Sequence, residues 1–142
     1  MATIKGVNKT LVDAGGIGTV GQGELNGRVK VSIDEYSLAS QTGATDILEL
    51  FDKLPAGARI LAIHLVQTGT QTSTFKLGTS YNDDEFLAAG QTGLQTANAE
   101  VWVSGHHYVV GTSTLDNQII MTFAGAVGAA GTLYAEVYYV TD

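Results

Sequence analysis

The chain has 142 residues, with 18 glycines, one proline and no cysteine, the size of a single domain whose core needs neither disulfides nor thiolate-bound metal. Its net charge of −7 is lopsided: all seven Lys and Arg residues lie at or before Lys76, where seven acids balance them, and the seven acids beyond Lys76 have no Lys or Arg among them. A second half so charged excludes phosphate neutralisation and so argues against direct nucleic-acid binding, and no apolar run approaches the ~20 residues of a membrane-spanning helix.

Residues 1–26 read as an extended N-terminal arm. Met1 to Asn8 lacks the continuous apolar run of a secretion signal, so we expect synthesis in a cytoplasm. Ala14 to Gly23 is glycine-rich and too poor in apolar groups to build a core. A phosphate-binding loop is a poor reading of these glycines, because no strand leads in, no helix leads out and no GK[ST] follows. An arm ordered against a partner is the better reading, with Ile17, Val20 and Leu25 as its candidate contact residues.

The domain proper is expected from Gly27 to Asp142. Arg28 to Tyr36 alternates, with Val29, Val31 and Ile33 on one face and Arg28, Lys30, Ser32 and Asp34 on the other, which predicts a half-buried strand with a wet outer side. Asp46 to Phe51 predicts a second strand, Leu48 and Leu50 on one side and Ile47 and Phe51 on the other. A turn follows at Asp52 to Gly57, where Pro55 presets φ and Gly57 permits φ > 0. Ala58 to Gln67 is apolar on both faces, as expected of a strand between layers or under a partner. Thr72 to Leu77 is the next strand. The acidic Asp83-Asp84-Glu85 turn then leads to Phe86 to Gly90, where Glu85 is placed to start a short helix.

Further strands are expected at Glu100–Ser104, His106–Gly111, Gln118–Ala124 and Thr132–Val140. The Gly-Ala segment Gly125 to Gly131 links the last two as a hairpin-like loop. On the last strand Leu133, Ala135, Val137 and Tyr139 share one face, and Tyr134, Glu136 and Tyr138 the other. Eight strands at this spacing predict an all-β fold, an eight-stranded antiparallel β-sandwich of jelly-roll type. Another Greek-key sandwich or a small barrel are the alternatives.

Catalytic equipment is sparse. His106 and His107, neighbours on a strand, would project to opposite faces and could not clasp one metal; His64 reads as a core or interface histidine. Asp83-Asp84-Glu85 lacks the ligand spacing and central glycine of an EF-hand loop, so a solvated turn or interface loop is favoured over calcium. No Gly-x-Ser-x-Gly elbow and no Ser–His–Asp arrangement stands out. No enzyme, metal or cofactor is expected. Trp102, Tyr134 and Tyr138 are the aromatic candidates for an oligomer or docking interface, where such residues are enriched.

Three segments carry a family likeness: Leu54-Pro55-Ala56-Gly57-Ala58-Arg59-Ile60-Leu61, Phe75-Lys76-Leu77-Gly78-Thr79 and Asp83-Asp84-Glu85-Phe86-Leu87. In this order they resemble small virion structural proteins of tailed bacteriophages, some of which are jelly-roll cement or decoration proteins of the head. The likeness covers about residues 45 to 140. It implies a chain on the capsid surface of the virion, its partners the major capsid protein and further copies of itself as a dimer or trimer. It offers no catalytic or ligand residues to carry over. A tail or baseplate protein and a carbohydrate-binding jelly roll are the alternative readings.

Overall fold

The computed structural model describes residues 28–40, 47–51, 54–113, 118–125, 127 and 130–141. The arm, with Ile17, Val20 and Leu25, lies outside the described residues, as does Gly27.

Among the described residues, eight strands form two four-stranded antiparallel sheets. They are β1 (Val29–Ser37), β2 (Ile47–Leu50), β3 (Arg59–Gln67), β4 (Phe75–Thr79), β5 (Leu87–Gln91), β6 (Glu100–Ser104), β7 (Ile119–Phe123) and β8 (Thr132–Val140). One sheet has the order β1-β8-β3-β6 and the other β2-β7-β4-β5. The chain therefore changes sheet at every connection except the β4–β5 hairpin. That is the wrapping of a jelly roll, the expected fold class.

The core lies between the sheets. Ile63 and Leu65 of β3 and Leu133, Ala135 and Val137 of β8 meet Phe75, Leu77, Met121 and Phe123 of the facing sheet. Phe75 and Phe123, directly paired across β4 and β7, tilt at 59° with ring centres 6.3 Å apart. Gln67 and Gln71 are buried too. Their side-chain amides donate to the carbonyls of Leu94 (2.6 and 2.9 Å), and Gln67 donates also to Thr96 (2.8 Å), which fastens the β5–β6 loop over one end of the core.

Several expectations are corrected. His106–Gly111 is no strand: Gly105 to Tyr108 forms a turn closed by Tyr108 N–H to Gly105 C=O at 2.8 Å, with φ of 49° at His106 and 54° at His107. Two successive positive φ values are what a turn of primed type needs, and the β-branched, aromatic appearance of the segment does not outweigh that turn. The eighth strand is β5, in the segment expected to start a helix. Glu85 caps nothing there, because Phe86 N–H donates to Leu77 C=O at 3.0 Å and draws the chain into a hairpin with β4.

The Gly125–Gly131 connection is not a hairpin, since β7 and β8 belong to different sheets. Phe51 does not oppose Leu48 and Leu50; all three are buried. Its φ of 64° turns the side chain inward, a conformation disfavoured for a bulky residue. The Asp34 carboxylate holds it there, accepting Phe51 N–H through Oδ2 and Glu35 N–H through Oδ1, both at 2.8 Å.

The largest correction concerns β1. Its alternation is real, but Val29, Val31 and Ile33 point away from the core and are 56, 44 and 68% exposed. Ser32, Asp34 and Tyr36 occupy the inner, partly buried side. Period two fixes which residues share a face and leaves open which face is buried.

Candidate functional site: the outer face of one sheet

The strand register lays out the outer face of the β1-β8-β3-β6 sheet as rows of directly opposed residues. Val31, Tyr138, Ala62 and Ser104 make one row; Ile33, Glu136, His64 and Trp102 the next; Glu35, Tyr134, Val66 and Glu100 a third. Beyond the first row lie Val29, Val140 and Arg59, where a bulge between Ile60 and Ala62 shifts the pairing. The second apolar face of β3, noted from its sequence, is this surface and not a buried layer.

At its centre, His64 stacks on Trp102 with ring centres 4.0 Å apart and planes at 11°. Tyr138 packs against the same indole at 5.6 Å, tilted by 36°. His64 lies between two carboxylates: Nδ1 is 3.2 Å from Glu136 Oε2 and Nε2 is 3.2 Å from Glu100 Oε2. A neutral imidazole donates through one nitrogen only, so the two contacts are satisfied together when both nitrogens carry protons. The Tyr138 hydroxyl donates to Glu136 Oε2 at 2.7 Å. That bond, followed by the His64 contact, holds the Glu136 carboxyl below the ordinary glutamate range, and the same bond raises the Tyr138 phenol above its ordinary value.

These contacts fix His64, Trp102 and Tyr138 without hiding the indole. Trp102 remains 58% exposed and Tyr134 40%. A rigid, half-wet aromatic patch surrounded by acids is suited to holding a protein surface, because little side-chain freedom remains to be lost on docking. Trp102 of β6 and Tyr134 and Tyr138 of β8 come together on this one face. His64, Val31 and Ile33 belong to it as well; sequence patterning assigned the valine and isoleucine to the core.

Other candidate chemistry is absent among the described residues. No three His, Asp or Glu side chains converge as metal ligands. Asp83 pairs with Lys76 Nζ, and Glu85 accepts from Asn82 Nδ2 at 2.8 Å, so the acidic turn is occupied with its own neighbours. A hollow of about 220 Å³ between Thr74, Lys76, Ala89, Gly90, Thr122 and Ala124 marks the outer side of the second sheet. It is smaller than the roughly 300–1,000 Å³ of ordinary ligand clefts. Among the described residues no helix is long and apolar enough to cross a membrane.

No model of a known protein family matches the chain, and no curated protein sequence does. Solved structures do. A chain of the cyanophage Pam1 capsid asymmetric unit superposes with a TM-score of 0.66 at 18% identity, over 82% of this chain and 86% of that one. A chain of the acidic stable capsid structure of Helicobacter pylori bacteriophage KHP30 superposes with a TM-score of 0.56 at 16% identity, over 79% of this chain and 86% of that one. At such identities the likeness shows the fold: this chain is an eight-stranded sandwich of the jelly-roll type seen in those capsids.

Proposed function

We propose that the chain is a phage virion structural protein that binds the outer surface of the head as a cement or decoration protein and strengthens contacts between major capsid subunits. The observation that carries this reading is the aromatic and aliphatic outer face of the β1-β8-β3-β6 sheet, left open in the single chain and braced by hydrogen bonds among its own side chains. Clusters of exposed aromatic and aliphatic side chains, here Val31, Ile33, Trp102 and Tyr134, mark interaction surfaces. The capsid chains with the same fold support the reading. In each, the match spans most of both chains, so the likeness is to a small all-β chain and not to one domain of a much larger protein.

A protein holding a shell against internal pressure needs contact area rather than chemistry, and many copies on a symmetric lattice let each contact be modest. The N-terminal arm would add reach, its ordering offset by contacts with a neighbouring subunit. The all-acid second half suits a basic partner surface.

Purified protein mixed with capsids lacking it, followed by sedimentation and electron cryo-microscopy, tests the reading. Density of this fold on the head, and lower occupancy for Trp102→Ala and Tyr138→Ala with unchanged circular dichroism, are expected. Binding to tails alone, or to glycans on an array in place of capsids, would overturn it.

A further inference from the structure

β1 is a nine-residue strand at the end of its sheet, paired on one side with β8 through nine successive residues without a bulge. Its other edge meets no strand among the described residues. Long, regular edges of this kind are templates for pairing with another chain, and proteins usually blunt them with proline, bulges or charge. β1 has no proline and no bulge. Lys30, the obvious guard, is turned to Thr141, whose Oγ1 accepts from its ammonium at 2.7 Å. At the start of the strand Val29 and Val31 are exposed on the outer face and Lys30 on the inner one.

We propose that two copies of this chain join β1 to β1, antiparallel, about a two-fold axis at Val31, to make one continuous eight-stranded sheet. The register follows from the side chains. A two-fold axis perpendicular to the sheet keeps outer faces outer, so each residue meets one of the same parity, and the compact choices centre on Val31, Ser32 or Ile33. Centring on Ser32 pairs Val31 with Ile33 and Lys30 with Asp34 but sets Val29 opposite Glu35 of the second copy. Centring on Ile33 sets Val31 opposite Glu35 and Ser32 opposite Asp34. Only the Val31 centre sets no apolar residue opposite an acid: within Val29–Ile33, Val31 meets itself, Val29 meets Ile33 twice and Lys30 meets Ser32, and just beyond it Arg28 meets Asp34. Apolar and opposite-charge cross-strand pairs are the favourable ones.

The glycine-rich sequence just before β1 is a weaker occupant of the same edge, since Gly21, Gly23 and Gly27 disfavour a strand. The Val31-centred contact is isologous and closes on itself, which limits assembly through this edge to a dimer. It stands apart from the virion reading and is tested on the protein alone.

The absence of cysteine makes any introduced thiol a single-site reporter. Full-length Val31→Cys, Ser32→Cys and Ile33→Cys proteins are oxidised mildly and run on non-reducing gels. Directly opposed β-carbons lie about 4.5–5.5 Å apart, so Val31→Cys cross-links to a covalent dimer and the other two several-fold less. In sedimentation velocity the wild type runs as a dimer. Val31→Lys, altering an exposed side chain and setting like charges face to face, keeps its circular dichroism and shifts to monomer. A monomeric wild type, a dimer that survives Val31→Lys, or cross-linking that peaks at Ser32 or Ile33 overturns the proposal.

Discussion

Replacing Gly78 by alanine is the sharpest test of how the β4–β5 hairpin is packed. A β-carbon at this position would lie 2.2 Å from the Asn82 carbonyl oxygen, 2.4 Å from the Asp83 carbonyl carbon and 2.6 Å from the Asp84 nitrogen. All three are backbone atoms, so no rotamer change relieves the overlap and the acidic turn must lift. That turn is held by Thr79 N–H to Asn82 C=O at 2.7 Å and Phe86 N–H to Leu77 C=O at 3.0 Å. It also seats Phe86 edge-on against Tyr108 at 5.6 Å. Overpacking costs about 1–3 kcal/mol, and losing one or two turn hydrogen bonds adds about 0.5–1.5 kcal/mol each. The stiffer unfolded chain returns about 0.4–1 kcal/mol. The middle of that range, about 3 kcal/mol, lowers the melting temperature by roughly 10 °C in a domain of this size. Gly57→Ala is the control: its φ is +82° with nothing within 4 Å of an added β-carbon, so only the left-handed backbone penalty of about 1–2 kcal/mol applies. Thermal melts followed by circular dichroism, with urea titrations to check an unchanged slope, measure both. Gly78→Ala melting within about 2 °C of wild type, or Gly57→Ala falling further, would refute the steric argument.

Ile33→Ala, measured at low protein concentration, should change stability by no more than about 0.5 kcal/mol, whereas Ile63→Ala on the buried face should cost about 2–5 kcal/mol by chemical denaturation; equal losses would mean that the faces of β1 are misassigned. The Glu136 carboxyl is held below its ordinary range, so its charged form contributes stability above that range and loses it as pH falls through the depressed value. Urea midpoints taken between about pH 7 and about pH 3 should therefore fall more steeply for wild type than for Glu136→Gln, and parallel curves would show that the Tyr138 and His64 contacts leave stability unchanged. Deleting residues 2–24 should leave the melting of the sandwich unaltered and lower retention on capsids, read by sedimentation; full occupancy of the truncated protein would remove the arm from the proposed grip.

Much of the fold was legible in the chain itself. Apolar alternation at two-residue spacing marked β1 and β8, and a run apolar on both faces marked β3, each of nine residues. Pro55 and Gly57 marked their turn. β5 was not legible: Leu87-Ala88-Ala89-Gly90-Gln91 carries small residues that suit several backbones, and only the hydrogen bonds to β4 make it a strand. The His106-His107 turn was hidden for the converse reason, since strand-like residues there adopt left-handed φ values that local propensity does not foretell.

The sequence by itself determined an all-β, cysteine-free domain, the pairing of residues onto common faces, and the concentration of net negative charge after Lys76. Tertiary structure decided which faces are buried, because a strand's period is symmetric between its two sides and only the opposing sheet breaks that symmetry. It turned Val29, Val31 and Ile33 outward. It also brought Trp102, His64, Glu136 and Ile33 into one row from four strands, a row that exists only once antiparallel register sets distant positions opposite one another.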